Sequence, residues 1–156
     1  MQNLLQIVKN LKYKAALSLQ QELGLDDKNL SADSKRCLEV LLNHYLEIKD
    51  AGDFANRSGI SLRKLIYLFK DTAFTPGKLL MALRIRHAIH LMQNPGLTLG
   101  EISQIIGCKS EKGFNQIINR VFGLPPTQVR KEILQGQAKK YFAKIIKSIG
   151  CRNSNG

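Results

Sequence analysis

The chain has 156 residues, 44 % of them apolar and 23 % charged, a globular balance that argues against wholesale disorder. Its 24 Lys and Arg against 12 Asp and Glu leave a formal charge of +12 and a pI near 9.9. Such a surplus repels itself in a compact fold and points to a polyanionic partner. No apolar run reaches membrane-spanning length, no signal-peptide pattern opens the chain, and three cysteines without a CxxC pair suit a reducing compartment, so a cytoplasmic protein is expected.

The charge is unevenly placed. Residues 1–34 hold as many acids as bases, residues 35–134 hold fifteen bases against eight acids, and residues 135–156 hold five bases and no acid. The anion-seeking surface therefore begins after residue 34.

In chain order, Leu4, Ile7, Val8 and Leu11, then Ala15 and Leu19, predict an amphipathic helix ended by Gly24. A second helix is expected from about Lys35 to Leu46, with Ser31 or Asp33 as its N-cap and Leu38, Leu41, Leu42 and Tyr45 on one face. Two similar segments follow, DFANRSGISLRKLIYLFKDTAFTP and EISQIIGCKSEKGFNQIINRVFGLPP. Ala55, Gly59, Leu65 and Phe69 are spaced 4, 6 and 4, whereas Ser103, Gly107, Phe114 and Ile118 are spaced 4, 7 and 4. Between them, Pro76 to Met92 has a helical pattern stopped by Asn94-Pro95-Gly96, and QAKKYFAKIIKSIG predicts a last helix. That last helix has an apolar stripe of Tyr141, Phe142, Ile145, Ile146 and Ile149 beside Lys139, Lys140, Lys144 and Lys147. It suits docking on the core, with DNA backbone, a second copy or an anionic membrane surface as other uses for its charge.

The repeated segments have what a helix-turn-helix requires. Two short helices crossing steeply need a small side chain where their axes meet, and the turn needs a residue that tolerates positive φ. Ala55 and Ser103 supply the first and Gly59 and Gly107 the second; Ser61 and Ser110 stand where the following helix needs its N-cap. The inner face of that helix must then be apolar at helical spacing. Leu65, Leu68 and Phe69 meet this in one copy, and Phe114, Ile117, Ile118 and Val121 in the other.

These residues resemble the DNA-binding domain of the AraC/XylS family of transcription regulators, over about Lys35 to Lys131. The linker LRIRHAIHLM is similar to the family's L-R-x-x-x-A-x-x-L-L at Leu83, Arg84, Ala88, Leu91 and Met92. A second motif is carried by Ile102, Gly107, Ser110, Phe114, Phe122, Gly123, Pro126 and Arg130. Ser103, Cys108 and Ile118-Asn119 stand where the family usually has Ala, Phe and Phe-Lys, and the turn Thr72-Ala73-Phe74 is about one residue short and lacks a glycine, which marks a divergent member.

The resemblance implies an all-α fold with two helix-turn-helix subdomains joined by a linker helix, with extra N- and C-terminal helices. Residues 1–34 would form an N-terminal helical extension, 35–134 the tandem helix-turn-helix unit and 135–156 a basic C-terminal helix and tail. It also implies a sequence-specific regulator that sets two recognition helices in successive major grooves of double-stranded DNA.

Recognition helix one, Ser61 to about Asp71, would face bases with Arg63, Ile66 and Tyr67, although core packing beside Leu65 is an equal reading of Ile66. Recognition helix two, Ser110 to Val121, would do so with Glu111, Lys112, Asn115 and Gln116. Arginine and lysine suit guanine, amides suit adenine, a carboxylate can accept from cytosine, and an aliphatic side chain can meet a thymine methyl. Phosphate contacts would fall to Ser61, Lys64, Lys70, Lys78, Lys109, Ser110, Arg120 and Lys131. Arg84 and Arg130 match positions that bridge the two units, and Arg86 suits either role.

RNA polymerase or another regulator is a candidate protein partner, and the oligomeric state is open. Other uses of the pattern are a DNA-binding accessory protein of a mobile element, or a basic helical adaptor for protein or membrane. Thirty-four residues are too few for a barrel-like sensor, so no sugar-type effector is expected. His87 and His90 sit three apart on the linker, where a half-buried helix surface accounts for them better than a metal site. No nucleophilic triad, phosphate loop or paired carboxylates occur in the sequence, so neither enzyme activity, metal nor cofactor is expected.

Overall fold

The computed structural model describes residues 31–70 and 75–149, and every regular element among them is a helix. The amphipathic segment expected near residues 4–19 and the short turn Thr72–Phe74 lie outside the described residues. The helices are α1 (Ala32–His44), α2 (Ala51–Arg57), α3 (Leu62–Leu68), α4 (Pro76–Met92), α5 (Leu99–Ile105), α6 (Glu111–Phe122), α7 (Pro126–Leu134) and α8 (Ala138–Ile149).

Local chemistry sets most of the boundaries. Ser31 caps α1 by accepting from the Ser34 amide at 3.1 Å, so the helix starts three residues ahead of the expected Lys35. Asp50 caps α2, Thr75 caps α4, and Pro76 follows at the first helical position, where its missing N–H costs nothing. Thr98 and Glu101 form a reciprocal capping box at the start of α5. Gly123, at φ 71°, closes α6 in the left-handed conformation that L side chains resist.

The linker helix α4 has the expected limits, and at 1.5 Å per residue its 17 residues span about 25 Å. It packs against α2 on one side and against α5, α7 and α8 on the others. Thirteen of its seventeen residues are buried, so apolar side chains are needed all round and the polar ones go inside with them. Arg86, His87 and His90 are all buried, which corrects the expectation of a half-buried histidine face. The phenolic oxygen of Tyr45 lies 2.6 Å from His87 Nδ1.

α8 supplies the cover. Tyr141 and Ile145 are buried, and Phe142 receives the Arg86 guanidinium 4.5 Å from its ring centroid and the His90 ring at 4.7 Å. Glu132 on α7 accepts the Tyr141 hydroxyl at 2.6 Å and also bonds Lys140, which fixes the start of α8. These two donors hold the Glu132 carboxyl below the usual range, the Lys140 bond first. One hydrophobic cluster runs from Cys37 to Ile145.

Two arginines join the elements through backbone carbonyls rather than acids. Arg84 on α4 donates to Tyr45 O at 3.2 Å and to Ile48 O, both at the exit of α1. Arg130 on α7 donates to Asn94 O at 2.6 Å, just past the end of α4. The turn after α5 rests on the same place as Arg84. A Cβ on Gly107 would stand 3.0 Å from Leu46 O and 3.5 Å from the Arg84 guanidinium, and Gly107 has φ 86°. Gly59, in the equivalent turn of the first unit, has φ 72° with open space around it.

That contrast yields a stability prediction. Gly59→Ala carries only the left-handed penalty of roughly 1–2 kcal/mol, whereas Gly107→Ala adds a backbone clash and should lose at least about 1 kcal/mol more. Urea unfolding of both variants checks this; equal losses would mean that the α5 turn does not bear on the end of α1.

Candidate nucleic-acid interface

In the first unit α2 ends in a Schellman turn: Ile60 N donates to Ala55 O at 3.1 Å, with Gly59 in the left-handed conformation between them. In the second unit Cys108 N donates to Ser103 O at 3.0 Å across Gly107 in the same way. Ala55 and Ser103 are buried, as an axis contact requires, and the Ser103 hydroxyl is satisfied by donating to Gly100 O at 2.7 Å. A serine therefore replaces an alanine there without leaving an unpaired polar atom. The two copies differ at one point. Ser61 follows Ile60 directly, while Lys109 intervenes between Cys108 and Ser110, which accounts for the spacings of 6 and 7.

Both serines cap the next helix. Ser61 Oγ accepts from Lys64 N at 3.1 Å and Ser110 Oγ from Gly113 N at 3.0 Å, so each hydroxyl proton is left to donate outward. Inside, Leu65 and Phe69 are buried and Leu68 half-buried in the first unit; Phe114, Ile118 and Val121 are buried and Ile117 half-buried in the second. α3 is shorter than the expected 61–71, ending at Leu68 with Phe69 as its C-cap.

Outside, the expected base-facing residues Arg63, Ile66 and Tyr67 are exposed on α3, and Glu111, Lys112, Asn115 and Gln116 on α6. Ile66 is 52 % exposed, which decides between surface and core in favour of surface. Arg63, Lys112, Asn115 and Gln116 make no side-chain hydrogen bond or ion pair within the described residues. Glu111 differs, because its Oε2 lies 3.4 Å from where a Cβ on Gly100 would stand, turned toward the first turn of α5.

The basic residues are exposed but not equally available. Lys64 Nζ pairs with Asp33 at 3.2 Å, a contact between α3 and α1 that the sequence pattern did not disclose. Lys70 Nζ lies 4.2 Å from the centroid of the Tyr67 ring. Lys109 stands in the turn ahead of Ser110, and Lys78 in the first turn of α4. Arg120 is in the last turn of α6, about 15 Å along the helix from Ser110, and Lys131 in the last turn of α7. Burial raises the thiol pKa of both Cys37 and Cys108, partly opposed at Cys108 by the charge of Arg84. Neither thiol is thereby activated as a nucleophile.

A family model described as a helix-turn-helix domain matches residues 54–132, from α2 to α7 and just over half of the chain. The chain belongs to the AraC/XylS-type helix-turn-helix family. Among curated proteins it is 26 % identical over 127 residues to the Msm operon regulatory protein of Streptococcus mutans, covering 78 % of this chain and 46 % of that one. It is 28 % identical over 106 residues to the HTH-type transcriptional activator RhaS of Escherichia fergusonii, covering 67 % and 38 %. The chain thus spans less than half the length of these relatives. No solved structure matches it. Among the described residues, no helix is long and apolar enough to cross a membrane.

The Asp33–Lys64 pair generates a second prediction. Both side chains are exposed, so their attraction is worth at most about 1 kcal/mol in water. Asp33→Asn should leave the unfolding midpoint nearly unchanged, yet free Lys64 and Arg36, which Asp33 holds at 3.2 and 3.5 Å, and remove one repulsive charge beside the recognition helix. Binding to duplex DNA of unrelated sequence at low salt should tighten by roughly two- to fivefold. Unchanged binding would show that Lys64 does not face phosphate.

Proposed function

We propose that this chain is a sequence-specific regulator of transcription that sets α3 and α6 in successive major grooves of duplex DNA. The observation that carries this reading is the pairing of two capped helices, each anchored by a buried apolar face. Their outward polar groups, Arg63 on one and Lys112, Asn115 and Gln116 on the other, make no bond among the described residues. Such donors and acceptors match base edges in a major groove. The linker of about 25 Å, together with the widths of the flanking helices, suits grooves one helical turn apart, about 34 Å.

The DNA-binding unit in this reading is residues 35–134, with α8 as a basic buttress. Ser61, Ser110, Lys109 and Lys78 supply phosphate contacts near the groove edges, joined by Lys64, Lys70, Arg120 and Lys131 at its margins. Phosphate contacts set affinity and register, while the base-facing residues set sequence. RNA polymerase or a second regulator is the protein partner that such an activity calls for.

Selection of bound sequences from random duplexes, followed by a salt titration, tests this directly. One enriched motif, extending over about two turns, is expected; recovery of unbiased sequence overturns the reading. Arg63→Ala and Gln116→Ala should each relax preference at a different part of the motif, by about 1–3 kcal/mol of discrimination. Lys109→Ala should weaken all sequences alike and reduce the log–log salt slope by up to about one.

A further inference from the structure

The outward faces of the two recognition helices are chemically unlike. On α3, Leu62 is 43 % exposed, Ile66 52 % and Tyr67 61 %. Of the four large hydrophobic side chains exposed among the described residues, these are three; the fourth, Leu134, is on α7. Leu62 and Ile66 are one helical turn apart on the same side, with Tyr67 beside them and its ring under Lys70. Scattered exposed hydrophobic side chains need no explanation, but three neighbouring ones on a seven-residue helix mark a surface that meets something apolar. On α6, positions 111, 112, 115, 116, 119 and 120 are Glu, Lys, Asn, Gln, Asn and Arg, with no apolar side chain among them.

Building on the regulator reading above, we propose that α3 recognises its half of the site by the thymine methyl groups. Leu62, Ile66 and Tyr67 press into a thymine-rich stretch of major groove, while α6 reads hydrogen-bonding edges. The setting identifies the apolar surface as that of DNA. Arg63 and Lys70 border the patch, Ser61 offers a hydroxyl at its start, and no acidic residue lies on α3. A basic frame around an apolar centre complements a groove with phosphate walls and methyl groups on its floor. The thymine C5-methyl is the one hydrocarbon group that a base pair presents there.

Deoxyuridine in place of thymidine removes the methyl and keeps every hydrogen-bonding group, so it isolates the term. The full chain is titrated against its selected duplex with uracil placed in one half at a time. The α3 half is identified as the one where Arg63→Ala relaxes preference, the α6 half by Gln116→Ala. Uracil in the α3 half should weaken binding about fourfold per contacted methyl, the effect of losing one buried methyl-sized group. In the α6 half the change should stay below about twofold. Ile66→Ala and Leu62→Ala, both at exposed positions, should bind more weakly and lose most of the difference between thymine and uracil, with unchanged melting temperature.

An enriched motif that tolerates uracil equally in both halves overturns this proposal and assigns the α3 patch to a protein, while leaving the regulator reading intact. Failure to enrich any motif removes that reading first. The two failures are therefore distinguishable.

Discussion

The relation between the two halves of the molecule depends on one guanidinium. Arg84 extends from the linker helix to the exit of α1 and donates to the carbonyls of Tyr45 and Ile48. A helix cannot satisfy its own last carbonyls, and its C-terminal end carries partial negative charge, so a cation there answers both needs. Burial lowers the pKa of Arg84 from a value so far above neutrality that the group stays charged. The turn of the second unit closes over the same place, where Gly107 comes so near Leu46 O that a methyl group would crowd it. Apolar packing is non-directional and would tolerate several settings of one unit against the other. Fixed donors meeting fixed carbonyls tolerate far fewer. Arg130 repeats the arrangement at the far end of the linker, where Asn94 O is the acceptor.

α8 completes what these contacts begin. A linker helix exposed on one side would need a polar face there; with α8 against it, α4 is buried almost throughout. Arg86 and His90, one turn apart, are held by Phe142, and His87 lies against the Tyr45 hydroxyl. The linker thus behaves as part of the core rather than as a tether, and any strain that moves it must disturb both units.

Much of this was legible in the sequence, for reasons that can be named. Gly59 and Gly107 stood out because a tight turn tolerates few other residues, and Ser61 and Ser110 because capping is a local act between residues three apart. The limits of α4 followed from Pro76 and Asn94-Pro95-Gly96, again local signals. The box formed by Thr98 and Glu101 is equally local, since Thr98-Leu99-Gly100-Glu101 has its spacing, but Thr98 lies ahead of the similarity between the two repeats, which begins at Glu101. What periodicity could not disclose was contact between distant elements. The burial of His87 and His90 depends on Tyr45 and Phe142, more than forty residues away on either side. The engagement of Lys64 by Asp33 joins two helices that no pattern pairs. Ile66 was ambiguous because α3 is only seven residues long, too short for its apolar positions to define one face.

The division between structure and function can be followed through the polar side chains themselves. Those that hold the fold are spent internally: Ser103 on Gly100 O, Arg84 and Arg130 on helix-end carbonyls, Glu132 on Tyr141 and Lys140. Each of these bonds engages a buried or half-buried residue. Among the described residues Arg63, Lys112, Asn115 and Gln116 have no such duty, and the capping serines need their oxygens but not their protons. A fold indifferent to the residues on one surface leaves them free to vary with a target sequence. Two helices supported by the same turn, cap and apolar anchors can therefore present opposite chemistries, hydrocarbon on α3 and amides with charges on α6, without altering what supports them.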